Sequence, residues 1–190
     1  MKLILASGSP RRRELLTEVG IPFTVAPAEF DESSVSLQDP AEGVCALALG
    51  KARASRRTCG DDNAVYLGAD TVVVLDGEAM GKPADEDDAF LTLRRLSGRA
   101  HSVYTGVALI SGDQEEIFYE KTDVYFYELS DEEIREYIAT GEPMDKAGSY
   151  GIQGRGRLLI RKIDGDYFTV VGLPVARVAR ALKKYNVFSL

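Results

Sequence analysis

Cysteine and histidine are scarce in this 190-residue chain: Cys45 and Cys59 stand far apart without CxxC spacing, and His101 is the single histidine. That scarcity argues against a zinc site, whose ligands come from clustered cysteine and histidine. The two thiols read as reduced side chains of an intracellular protein. No serine or cysteine arrangement points to His101, so it reads as structural. Long apolar runs are missing too, since none nears the roughly 20 residues a membrane helix needs. Residues 1–6 give way to Ser-Gly-Ser-Pro well before the about 7–15 residues of a signal h-region. The chain therefore reads as soluble and cytoplasmic. Positive charge is in deficit as well, with a net charge of −7, which argues against a general nucleic-acid binder.

What is present suffices for one substantial core, because 45% of residues are hydrophobic and 28% charged, an ordinary globular balance. The basic residues are clustered: Arg11, Arg12 and Arg13 are consecutive, and Arg155 and Arg157 flank a late glycine-rich segment. A local positive cleft on a negative protein focuses anions.

Residues 2–6 read as a short buried strand, followed by a helix with Ser9 as cap, Pro10 in its first turn and Gly20 at its end. Residues 23–27 resemble a second strand. Asp39-Pro40-Ala41-Glu42 opens a helix to about Arg57, and a strand at 64–75 ends in the hairpin turn Asp76-Gly77. A helix at 85–97, strands at 101–110 and 116–127, and a helix from the capping box Ser130–Glu133 to Gly141 come next. Residues 158–163 and 167–171 read as a last hairpin around Asp164-Gly165, and Pro174 opens a terminal helix to about Tyr185. Alternating helices and strands with inserted hairpins predict an α/β protein with a mixed sheet. No repeat or linker interrupts it, so residues 1–190 read as one domain.

Five features could carry chemistry. The segment Ser7-Gly8-Ser9-Pro10-Arg11-Arg12 joins a strand to a helix, where backbone N–H groups, hydroxyls and arginines suit an anion. It is neither a Walker A loop nor GxGxxG, and it reads equally as a capped surface helix with solvated arginines. Lys51 continues the apolar stripe of Val44, Leu47 and Ala48, so it must snorkel or meet an anion, unless it only favours the helix dipole. Asp70 is the one acidic residue in AVYLGADTVVVL, and a carboxylate there is costly unless paired, hydrogen-bonded or metal-bound. Gly68 and Ala69 leave room for a ligand beside it, and with Thr71 it suits a divalent metal or proton transfer from water; a structural pair with an inward cation is the alternative. Gly81-Lys82-Pro83 holds a lysine on a tight turn. Asp145–Gly154, rich in glycine, reads as a loop whose backbone passes close to a ligand, with Gln153 able to read a base edge.

Taken together, Ser7-Gly8-Ser9-Pro10-Arg11-Arg12, Gly68-Ala69-Asp70-Thr71, Gly81-Lys82-Pro83, Asp145-Lys146-Ala147-Gly148-Ser149-Tyr150-Gly151-Ile152-Gln153-Gly154 and Gly172-Leu173-Pro174 resemble, in order and spacing, the Maf family of nucleotide pyrophosphatases. The late segment is similar to the subfamily acting on dTTP and UTP. The resemblance implies hydrolysis of the α–β phosphoanhydride to nucleoside monophosphate and pyrophosphate, limiting non-standard or modified nucleotides, with Mg²⁺ or Mn²⁺ as cofactor. It implies an elongated, twisted mixed sheet flanked by helices, with two lobes around a central cleft, in a family where homodimers are common. Asp70 falls on the family's proton acceptor. Arg11, Thr71 and Gln153 fall on positions tied to substrate choice, and Ser7, Arg11, Arg12, Lys51 and Lys82 would bind phosphates. Asp70 and Glu32 would hold the metal. The family is also linked to arrest of septum formation, so a non-catalytic nucleotide-binding regulator of division is the alternative.

Overall fold

Seven strands hydrogen-bond into one open mixed sheet in the computed structural model, which describes residues 1–188. Strands β1 (Lys2–Leu5), β2 (Thr24–Val25), β3 (Ala64–Leu75), β4 (Glu78–Met80), β5 (Ala100–Ser111), β6 (Gln114–Phe126) and β7 (Ile160–Asp164) alternate with six helices. These are α1 (Pro10–Glu18), α2 (Pro40–Cys59), α3 (Glu86–Leu96), α4 (Asp131–Ile138), α5 (Tyr167–Val171) and α6 (Val175–Leu182). The strand order is β2-β1-β3-β5-β6-β7, with β4 paired to β3. β1 runs parallel to β2 and β3, whereas β3–β4 and β6–β7 are antiparallel, so the expected mixed α/β sheet is present. Among the described residues no helix is long and apolar enough to cross a membrane.

The chain divides into two compact units. The first contains Met1–Asp70, Thr105–Glu120 and the chain from Gly172 onward. Its organising element is α2, whose Asp39 carboxylate accepts the N–H groups of Ala41 and Glu42 and whose end is marked by Gly60 in the left-handed region. Ala48 and Ala52 of α2 pack with Ile4, Ala64, Tyr66, Ala108 and Ile110. The helix lies so close to the strands that a Cβ on Gly68 would overlap the Ala48 carbonyl oxygen. One on Gly106 would overlap that of Val44. Only glycine permits this backbone-to-backbone approach.

The second unit contains Thr71–Tyr104 and Lys121–Val171. Ala89, Leu93 and Leu96 of α3 meet Ile134, Tyr137 and Ile138 of α4 in a core shared with Val73, Leu75 and Phe126. Ser130 and Glu133 form the reciprocal capping box expected at the start of α4. Asp76 and Gly77 have φ of 53° and 83° between β3 and β4, the two positive values that a two-residue hairpin turn requires. His101 is buried, with Nε2 2.7 Å from the Tyr150 hydroxyl and its ring edge-on to Phe126. Burial lowers its pKa to about 4, so it is neutral at pH 7 and structural, as its isolation in the sequence implied.

One local expectation is corrected. Residues 167–171 form helix α5, not the second strand of a hairpin. The Asp166 carboxylate accepts the N–H groups of Phe168 and Thr169 at 3.3 and 3.0 Å and the Thr169 hydroxyl at 3.0 Å. This cap overrides the strand preference of the aromatic and β-branched residues that follow. Ser9 is the N-cap residue of α1 as expected, although its side chain makes no cap bond, and its own N–H is accepted by Ser7 Oγ at 3.2 Å.

Candidate active site

The polar cluster of the first unit is assembled by two adjacent parallel strands and the helix laid over them. Ala6 at the end of β1 donates its N–H to Leu67 of β3 at 2.8 Å, which sets the start of the Ser7–Arg12 segment beside β3. The carboxyl ends of parallel strands, followed by a helix N-terminus, are the usual ligand-binding edge of α/β sheets. Arg12 is buried, its Nε donating to the Gly172 carbonyl at 2.8 Å and a terminal nitrogen to Ser7 Oγ at 3.0 Å. Burial pushes its pKa down, while the charges of Asp70 and Glu32 oppose that shift and neighbouring Arg11 adds to it. Arg11 itself is half-buried and Arg13 exposed.

Asp70 and Thr71 are the two partly exposed positions in an otherwise buried β3. Lys51 Nζ donates to Asp70 Oδ1 at 2.5 Å and lies 3.0 Å from Glu32 Oε1. The close seat of α2 on Gly68 explains the first contact, since Gly68 and Asp70 point to the same side of the strand and Lys51 follows Ala48 by one helical turn. The second contact depends on how residues 28–38 lie along α2. Leu37 packs over Gly43 and Phe30 over Gly50, two glycines two turns apart on one helix face, and a Cβ on either would collide with those side chains. Phe30 thereby fixes the turn Glu32–Ser34, which Asp31 caps by accepting the Ser33 N–H.

Exposure separates this arrangement from a sealed structural ion pair. The side chains of Asp70, Lys51 and Glu32 are 15%, 17% and 58% exposed, so the cluster opens to solvent on its Glu32 side. A charge pair retained for packing alone would be cheaper as apolar residues. Asp70 is thus paired with an inward cation and also accessible.

Thr71, Lys82 and Gln153 belong to the second unit. Thr71 is half-buried, and Lys82 is exposed in the loop after β4. The Gly81 carbonyl accepts the Gly148 N–H at 3.0 Å, tying that loop to the late glycine-rich segment. Gln153 is half-buried at the start of the turn Gly154–Leu159, where its side chain makes no capping bond.

Over residues 2–185 the chain matches the family model described as Maf-like protein. A dTTP/UTP pyrophosphatase of Symbiobacterium thermophilum is 58% identical, covering 97% of this chain and 94% of the relative. One from Bacillus cytotoxicus is 52% identical over 97% of this chain and 96% of the relative. One from Bacillus cereus is 50% identical over 98% and 91%. The chain belongs to the Maf family.

Of the positions that the Maf resemblance singled out, Ser7 and Arg12 are bonded to each other, and Glu32, Lys51 and Asp70 form an ionic cluster whose carboxylate charges act on Arg12. Two readings of glycine positions are corrected. The space beside Gly68 is filled by α2 and is not open to a ligand, and the late glycines likewise pack on protein. Gly148, with φ of 71°, faces Val73, and Gly154, with φ of 60°, faces the Glu142 carboxylate. Two contributions were missed. Gly172, the first residue of the Gly-Leu-Pro motif, supplies the carbonyl that holds Arg12. Gly43 and Gly50 seat the segment carrying Glu32. Two interior glycines in an Ala/Leu-rich helix, each costing about 1 kcal/mol relative to Ala, were the signal for that close packing.

Among the described residues no group of three or more His, Cys, Asp or Glu side chains gathers as a protein-only metal cage. Asp70 and Glu32 do converge on one cation, the Lys51 ammonium. Two carboxylates with the remaining ligands drawn from substrate phosphates is the donor set Mg²⁺ commonly takes in phosphoryl-transfer sites, so these residues fit a divalent ion.

Proposed function

We propose that this protein is a nucleoside triphosphate pyrophosphatase that hydrolyses dTTP and UTP at the α–β bond, releasing the monophosphate and pyrophosphate. The observation that carries the reading is Asp70, an accessible carboxylate inside a buried strand, braced by Lys51 within the field of Arg12. Full-length relatives bearing the dTTP/UTP pyrophosphatase name support the substrate class. The unpaired Cys45 and Cys59 support a reducing, cytoplasmic setting.

In this reading Asp70 Oδ2 takes the proton of the water that attacks the α-phosphorus, while Oδ1 stays on Lys51. Arg11, Arg12, Lys51, Lys82 and Ser7 bind the phosphates and stabilise charge developing on the leaving pyrophosphate. Asp70 and Glu32 would hold Mg²⁺ or Mn²⁺; the chemistry such an ion supplies is neutralisation of the polyphosphate and acidification of water. Thr71 and Gln153 read the pyrimidine.

The test is pyrophosphate release from a panel of purine and pyrimidine triphosphates, with Mg²⁺ and then with excess EDTA. Turnover of dTTP and UTP above the purines, lost in EDTA and restored by Mg²⁺ or Mn²⁺, is the expected outcome. Binding of UTP without any pyrophosphate would refute the enzymatic reading.

A further inference from the structure

In the second unit, the six residues around Gln153 are tied to the protein by their backbone, and one side chain makes most of the ties. The Glu142 carboxylate accepts the Arg155 N–H at 2.9 and 3.1 Å through its two oxygens, and the Gly156 N–H at 3.2 Å. Burial, with the Glu142 charge adding to it, raises the pKa of the nearby Tyr137 phenol. That phenol, on buried Tyr137 of α4, accepts the Gly151 N–H at 3.1 Å. The chain from Gly151 to Gly156 is therefore held at both ends, and Ile152, Gln153 and Gly154 form the span between. The glycines fit the same clamp. A Cβ on Gly154 would stand 2.6 Å from Glu142 Oε1, and one on Gly156 would overlap the Gly151 carbonyl oxygen and crowd the Tyr137 hydroxyl at 2.7 Å. Glu142 is itself fixed, since Lys146 Nζ donates to its carbonyl at 2.6 Å. None of the clamp's bonds goes to the Gln153 side chain.

We infer that Glu142, acting with Tyr137, is a positioning residue for substrate choice: it holds the Gln153 backbone so that the side-chain amide meets the base without first being ordered. This rests on the proposal that Gln153 reads the pyrimidine. A polar group held in advance discriminates steeply, because the wrong base leaves it unpaired, whereas a loosened one rearranges to suit either base. Glu142 touches neither phosphate nor base in this scheme, so its loss is felt in selectivity and KM before kcat.

The experiment is a double-mutant cycle between Glu142→Gln and Gln153→Ala, reading kcat and KM for UTP and for a purine triphosphate. Glutamine keeps the size of Glu142 but offers one acceptor oxygen where the carboxylate offers two. The expected result is a fall of about tenfold in the UTP-to-purine ratio of kcat/KM, the scale of one charge-assisted hydrogen bond. The loss is expected mainly in KM, with no further fall when Glu142→Gln is added to Gln153→Ala. An unchanged ratio in Glu142→Gln, while Gln153→Ala lowers it, would overturn the positioning role alone. So would equal and additive losses in the two backgrounds. An unchanged ratio in Gln153→Ala would instead overturn the base-reading proposal beneath it. Should Glu142→Gln fail to fold, Tyr137→Phe removes the phenol's tie to Gly151 in a side chain of similar size and is read by the same criteria.

Discussion

Asp70→Asn is expected to lose at least about a hundredfold in kcat on UTP, the low end for removal of a general base, while remaining folded. Asparagine keeps the size of the side chain and an oxygen in place of Oδ1, so Lys51 keeps an acceptor there and keeps Glu32 at 3.0 Å. What disappears is the negative charge. With it go the group that takes the water's proton and half of the carboxylate pair suited to a divalent ion. Because Lys51 retains a charged partner, the unfolding free energy should fall by about 1 kcal/mol, short of the 3–5 kcal/mol for stranding a fully buried ion. Urea unfolding and steady-state kinetics on the same preparation separate the two effects. A variant of normal stability and near-normal kcat would remove Asp70 from the chemistry. One that loses rate only because it unfolds would mark Asp70 as a packing residue.

Gly68→Ala should be among the most damaging single methyl additions in the first unit, costing about 3 kcal/mol, the upper range for overpacking. The added carbon meets the backbone carbonyl of Ala48, and backbone cannot rotate away as a side chain does. Helix α2 must lift or slide, and Lys51 moves with it, one turn beyond the point of collision. Stability and turnover should therefore fall together, even though Gly68 is given no role with substrate. A urea midpoint matching that of the unaltered protein would mean that α2 does not rest on β3 as described.

These two residues also show what a linear reading reaches. Asp70 was conspicuous because a lone carboxylate in a buried strand is expensive, and periodicity placed Lys51 on the inward face of its helix; their meeting is what both oddities implied. Most strands, the type of most helices and the caps at Asp39 and Ser130 were legible from short-range chemistry, because their deciding atoms lie within four residues. The errors came where distant contacts decide. The exception is residues 167–171, whose strand-favouring side chains mask a local cap, the Asp166 carboxylate two and three residues away. Gly68 looks like room for a ligand until a helix some twenty residues earlier in the chain is found filling it. Gly172 holding Arg12, and Phe30 resting on Gly50, join segments whose proximity no local pattern states. Glu142 was invisible for the same reason, since its partners are backbone N–H groups 13 and 14 residues away.

The chemical step itself is open to one direct measurement: hydrolysis of UTP in water enriched in oxygen-18, with both products weighed by mass spectrometry. Water activated at Asp70 against the α-phosphorus leaves its oxygen in UMP, so the label is expected in the nucleotide and absent from pyrophosphate. Label in pyrophosphate with unlabelled UMP would place the attack on the β-phosphorus and contradict this mechanism.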